Sequence, residues 1–180
     1  MYRKIIDFLF QLLAVKQYLI FTGMFFMLNA LVMFILDAQL RPPSCPDMIS
    51  LELIFSKTGL SQFINQCGED GIRSHLIMLW VDYLFIFAYI GFLANLLGSL
   101  LRDIDYEKAL KLFSIPIIAG ALDLIENTIL LFQLQNTESL SGLLIFTAST
   151  AALIKFILIA ITIVLIIYYL FNKTKRSNPA

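Results

Sequence analysis

The chain has 180 residues, of which 59% are hydrophobic and only 14% are charged, and its mean hydropathy is +0.85. This composition excludes an ordinary soluble domain, in which about 25% of the residues are charged. The 13 basic side chains balance the 13 acidic ones, so nothing favours nucleic-acid binding, which needs a concentrated basic face. The sequence predicts an integral membrane protein whose main partner is the lipid bilayer.

The amino-terminal segment is amphipathic. On a helix, Arg3, Lys4, Asp7 and Gln11 share one side, and apolar residues occupy the other. An interfacial helix before the first span is one interpretation, and a long first span that protrudes from the membrane is the other. No small-residue cleavage site follows, so we do not interpret the segment as a secretory signal.

Four runs are long and apolar enough to cross a hydrocarbon core, which needs about 20 helical residues. They cover residues 18–36, 75–101, 112–134 and 142–171. None shows the alternating pattern of a membrane β-barrel strand. The fold prediction is therefore all-α: an integral membrane four-helix bundle in a single transmembrane domain, residues 1–180, with an N-terminal interfacial helix and a helical outer loop.

The connection between the first two spans, residues 38–74, is the one sizeable loop. It begins with RPPSCPDM, whose prolines end the first helix. The apolar stretch that follows predicts short helices on the bundle or at the lipid interface. Both cysteines, Cys45 and Cys67, lie in this loop. On an oxidising side of the membrane they would form a disulfide, and two free thiols are the alternative.

Basic residues set the expected orientation. Nine of them lie on one side of the four spans: Arg3, Lys4, Lys16, Arg102, Lys108, Lys111, Lys173, Lys175 and Arg176. The other side has only Arg41, Lys57 and Arg73, spread along the long loop. The positive-inside rule then places both termini in the cytoplasm and the loop outside, in a multi-pass protein of the cell (inner) membrane.

Familiar catalytic and cofactor motifs are missing from the sequence. A zinc site needs three or four close ligands, but there is one histidine and both cysteines are in the loop. There is no CxxC, GxSxG, P-loop or GxGxxG. Ser74 and His75 are adjacent, yet neighbours on a helix point about 100° apart. The sequence predicts neither a metal nor a cofactor, and it names no catalytic residue.

Polar residues within the spans are the remaining signal. One from each span lies eight residues from the predicted outer end, about 12 Å deep: Asn29, Asp82, Glu126 and Thr150. Asp123 and Lys155 lie nearer the middle of the bilayer. In the third span the acids share a stripe with small residues, and in the second His75, Asp82 and Tyr89 share a face. The candidate ligand- or proton-binding residues are Asp82, Asp123, Glu126, Asn127, Tyr89, Asn29, Lys155 and His75.

Charge within this layer does not balance. Each ionised group at the centre of a membrane helix costs about 2.5–3.5 kcal/mol, and Asp82, Asp123 and Glu126 face only Lys155. Protons, a bound cation, a cationic ligand or water could make up the difference, and we expect at least one of Asp82 and Glu126 to be protonated or neutralised by a cation. The structural alternative is that Lys155 pairs with Asp123 while the other acids only hold helices together.

Two resemblances follow from longer patterns. The succession CPDM, GEDGIRSH, WVDYLFIFAY and AGALDLIEN, over residues 45–130, is similar to a pattern of uncharacterised bacterial four-span membrane proteins, with which no activity is associated. Four spans with a long first outer loop, Asp37 and Asp82 also resemble the EXPERA family of sterol isomerases and sterol-binding proteins. That family's isomerases have a His and a Glu one turn apart, whereas His75 and Asp82 are seven residues apart.

Three functions remain open. The first is binding or transport of a small amphiphile, a cation or a proton through an outward-facing intramembrane pocket. The second is a scaffold or assembly protein whose polar layer is purely structural. The third is an intramembrane enzyme that uses paired carboxylates as acid and base, as an EXPERA-like isomerase would.

The orientation can be tested with reporter fusions. A reporter fused after Ala180 should be cytoplasmic, and one inserted near Thr137 should lie on the opposite side. Reporter activity or accessibility to an impermeant reagent measures both. The reverse pair of signals would contradict the orientation.

Overall fold

A computed structural model describes residues 2–177, with side chains for residues 3–172. The side chains of Lys173, Lys175 and Arg176, and the whole of Ala180, which the orientation argument uses, lie outside the described part. Its helices are α1 (Tyr2–Leu13), α2 (Leu19–Leu40), α3 (Met48–Glu52), α4 (Lys57–Leu100), α5 (Tyr106–Gln135) and α6 (Gly142–Ser177). No strand occurs within residues 2–177. The all-α prediction is confirmed.

Four of the helices, α2, α4, α5 and α6, are long and apolar enough to cross a membrane. The fold is that of a multi-pass membrane protein with a four-helix bundle. α4 packs against each of the other three long helices, and α5 and α6 pack along one another. α2 packs on α4 but makes at most slight contact with α6. A gap between α2 and α6 follows from this arrangement.

The amino-terminal helix α1 is separate from the first span. Short turns interrupt the helix after Leu13, and the side-chain amide of Asn95 donates hydrogen bonds to the carbonyl oxygens of Leu13 and Val15 at this break. α1 inserts Ile6 and Phe10 into a buried apolar cluster with residues of α4 and α5. The alternative of a long first span that protrudes from the membrane is therefore excluded. α1 packs on one end of the bundle, which we call the α1 end.

The opposite end is covered by residues 41–67, which we call the cap. Cys45 and Cys67 form a disulfide, as predicted. Next to it, Gly68 has a φ of 64°, in the left-handed region that favours glycine, and it breaks the helical path of α4. The chain between 57 and 67 can therefore fold back over the bundle. The predicted helical outer loop 38–74 contains the end of α2, the short helix α3 and the first part of α4.

The close approach of α4 and α5 depends on Gly120, which has no side chain. A Cβ atom placed on Gly120 would lie 1.6 Å from Cδ1 and 2.5 Å from Cγ1 of Ile90. Small residues of this kind allow membrane helices to pack backbone to backbone. The carboxylates of α5 are brought against α4 by this contact.

Gly120→Ala should lower the free energy of unfolding by about 1–3 kcal/mol, because Ile90 must leave its position to admit the methyl group. Gly91→Ala on α4 is the matched control, since its added Cβ would meet no atom within 4 Å. Unfolding in mixed detergent micelles measures both. Equal losses for the two variants would show that the close contact is not what Gly120 provides.

Candidate functional site

The centre of the bundle contains one buried ammonium surrounded by carboxylates. Nζ of Lys155 lies 2.7 Å from Oδ1 of Asp123, 2.8 Å from Oε2 of Glu126 and 3.1 Å from Oε2 of Glu52. All four side chains are at least nine-tenths buried. The ammonium donates a hydrogen bond to Asp123 and forms ion pairs with Glu126 and Glu52, so one lysine in α6 connects two acids of α5 with one of the cap.

Two further polar contacts extend this cluster along α4. The hydroxyl of Tyr89 donates to Oδ2 of Asp123 at 2.7 Å. The amide of Asn127 donates to Oδ2 of Asp82 at 2.5 Å. Both oxygens of Asp123 therefore have partners, whereas none of the described residues donates to Oδ1 of Asp82. Among residues 3–172, Lys155 is the only cation at the cluster, and it makes no ion pair with Asp82.

Glu52 reaches the cluster because α3 dips into the bundle. Asp47 caps the start of α3 by accepting the Ser50 backbone N–H at 2.9 Å. The Ser50 hydroxyl, which donates to the same carboxylate at 2.6 Å, and this backbone N–H lower the pKa of Asp47. The carbonyl of Ile54, two residues after α3, accepts a hydrogen bond of 2.6 Å from the hydroxyl of Ser149 in α6. Ser149 is seven residues into α6, roughly 10 Å below its start. Burial raises the pKa of Glu52 above its ordinary value, although Lys155 opposes this.

The cluster borders a partly open cavity of about 610 Å³. Its walls are α2 on one side, α6 on the other and α4 between them, and α3 covers one end. The polar lining consists of Glu52, Asp82, Tyr89, Asp123 and Lys155. The apolar lining consists of Phe26, Met33, Met48, Ile49, Phe85, Phe92, Leu93, Leu96, Phe156, Ile159, Ile163 and Ile166. The size and the few polar groups at one place are typical of a small-molecule site.

The cavity is long and polar at one end only. Along α6 it extends from Lys155 to Ile166, eleven residues or roughly 16 Å. Along α4 it extends from Asp82 to Leu96, fourteen residues or roughly 21 Å. All polar lining groups lie at the cap end, and the α1 end is apolar. The shape therefore has the polarity of an amphiphile, with a head end and a tail end.

The structure brings six of the eight candidate residues together: Asp82, Tyr89, Asp123, Glu126, Asn127 and Lys155. Asn29 is buried, but its amide donates to the Phe25 carbonyl of its own helix at 2.8 Å. Thr150, from the same predicted layer, bonds the carbonyl of Phe146 in α6. Equal depth along the membrane normal does not put side chains on the same side of the bundle, so these two do not join.

His75 differs from its expected position beside the acids. It is fully buried under the cap, where its Nδ1 donates to the Gly71 carbonyl at 2.9 Å and lies 3.7 Å from the sulfur of Cys45. The ring of Phe63 packs on it edge to face. Cys45, Cys67 and His75 lie close together, but both sulfurs belong to the disulfide and offer no thiolate to a metal.

Glu52 is the site residue that the sequence reasoning missed. It lies in the predicted outer loop, and the depth count covers only the four spans. The available signal was its surroundings: in ISLELIF, residues 49–55, it is the one charged residue among apolar ones. A charged residue in such an apolar segment needs a partner if the segment is buried, and Lys155 is the one lysine or arginine within the four predicted spans.

Comparisons of the chain with protein-family models, with curated proteins and with solved structures find no match. The site is therefore interpreted from its own geometry.

The Lys155 cluster should dominate stability. Lys155→Met should cost about 3–5 kcal/mol of unfolding free energy, because it leaves buried carboxylates without a cation. Asp123→Asn should cost less, since Glu126 and Glu52 still contact the ammonium. The double variant should lose less than the sum of the two single losses, because contacting residues are coupled.

Unfolding in mixed micelles measures this cycle. Thr150→Val on α6 is the control, since the Thr150 hydroxyl bonds only its own helix, and the change should leave stability nearly unaltered. Additive losses for Lys155→Met and Asp123→Asn would show that the pair does not act as a unit.

Proposed function

We propose that the protein binds a small amphiphile in the cavity, with the polar head beside Asp82, Tyr89 and Asp123 and the apolar body along α4 and α6 toward Ile166. One observation carries the proposal: the cavity has its polar groups at one end and an apolar lining elsewhere. In such a cavity an amphiphile can bury its apolar chain against apolar side chains. Its polar head can then form hydrogen bonds with the polar groups and does not have to be buried without a partner.

The route of entry is the gap between α2 and α6. An amphiphile dissolved in the bilayer already has its chain parallel to the helices, so its chain can enter the cavity sideways. Its head then moves from the membrane surface to the depth of Asp82, about 12 Å by the sequence count. The cap closes the polar end, because Met48, Ile49 and Glu52 lie over it. This arrangement favours exchange with the membrane over exchange with water.

A purely adhesive polar layer explains these observations less well. An adhesive layer needs close packing between the helices, and well-packed interiors leave few voids larger than a water molecule. Here about 610 Å³ adjoins the ionic groups. The scaffold interpretation remains the alternative that the experiment below separates from binding.

The test uses two radiolabelled single-chain probes, dodecylamine and dodecanol, offered separately to the protein in lipid nanodiscs. Counts from protein-free nanodiscs are subtracted, because both probes partition into lipid. At least one probe should bind saturably, at one molecule per chain. Ile159→Trp fills the cavity and should lower binding by about tenfold or more, since a bulky ring takes the space of the chain.

Ile157→Trp is the matched control. Ile157 lies two residues away on the same helix, is half exposed and does not line the cavity, so the same ring should leave binding unchanged. Absence of saturable binding for both probes, or equal binding by both tryptophan variants, would contradict the proposal and favour the scaffold alternative.

A further inference from the structure

We infer that the cavity selects amphiphiles with an ammonium head, and that Asp82 is the residue that recognises it. This inference rests on the proposed function and adds the chemical class of the ligand. It follows from how the acids divide between the lysine and the cavity.

Asp82 is the acid that the lysine leaves unpaired. Lys155 contacts Asp123, Glu126 and Glu52. Asp82 is only 8% exposed, lines the cavity, and receives one neutral hydrogen bond, from Asn127 to its Oδ2. Its Oδ1 accepts nothing from the described residues. A largely buried carboxylate that receives a single neutral hydrogen bond is costly, and a ligand in the cavity that donates from a cation would satisfy it.

The walls beside Asp82 suit an organic cation. Phe85 and Tyr89 follow Asp82 on the same face of α4, at i+3 and i+7, and their ring centroids are 5.7 Å apart. Phe26 of α2 stacks on Phe85 at 5.8 Å and on Phe92 at 5.3 Å. A carboxylate next to aromatic faces is the arrangement that attracts ammonium groups.

A bare metal ion fits this position poorly. Calcium and magnesium take about six or more oxygen ligands, whereas three of the four local carboxylates already contact Lys155. The rest of the cavity is apolar, and a bare metal ion would leave this apolar part of the cavity unfilled. An ammonium with an attached chain satisfies Asp82 and fills the apolar part with the same molecule.

The experiment compares dodecylamine with dodecanol, which share a chain and differ in the head. The amine is protonated at pH 7, as the lysine side chain is. Wild-type protein in nanodiscs should bind dodecylamine about tenfold or more tightly than dodecanol, because a hydrogen bond to a charged group adds to the shared apolar contact. A ratio near one in the wild type would overturn the inference while leaving amphiphile binding intact. Failure of both probes would instead refute the proposed function.

Variants assign the preference to Asp82. Asp82→Asn should bring the ratio near one, because it keeps the size of the side chain and removes its charge. Asp82→Glu should keep a preference for the amine. Asp70→Asn, which removes the same charge from an exposed position of α4, should keep the wild-type ratio. A preference that survives Asp82→Asn would overturn the assignment, and the wild-type ratio stands as a test if that variant does not fold.

Discussion

The structure depends on the need to solvate one ammonium inside an apolar bundle. Lys155 is 3% exposed, and an unpaired charge at that depth is costly. Asp123 and Glu126 both form ion pairs with this ammonium because residues at i and i+3 of α5 share a face. Glu52 of the cap forms a third ion pair with the ammonium. The cap must therefore extend into the bundle as far as Lys155. A single ion thus sets the relation between α5, α6 and α3.

The long helices could be predicted from the sequence because apolar length alone determines which segments can cross a membrane. The Asp123–Lys155 pair could also be anticipated, since both lie near the same depth and one lysine had few possible partners. Asn29 and Thr150 show the limit of that reasoning. Their hydroxyl or amide groups bond carbonyls of their own helices, a local solution that depth along the membrane normal does not reveal.

The cap could be predicted only in part. Two cysteines in one loop indicate a disulfide, but they do not indicate where the loop lies. Its position results from long-range contacts: Gln66 donates to the Ser44 carbonyl, Ser149 to that of Ile54, and Leu51 is fully buried among residues of α4, α5 and α6. None of these partners is near in sequence. The apolar surroundings of Glu52 in the sequence indicate burial, but only the folded chain shows that its partner is Lys155.

The acids of the centre divide into two groups with different consequences. Glu52, Asp123 and Glu126 contact Lys155, so their charges serve the packing of helices and cap. Among the residues with described side chains, Asp82 has only the neutral amide of Asn127 as a partner, and it lines the cavity. If stability alone were at stake, an amide or an apolar residue at position 82 would avoid the cost of a buried acid. Its presence beside aromatic rings and open volume is the feature on which the proposed binding site rests, and an ionic core alone would not require it.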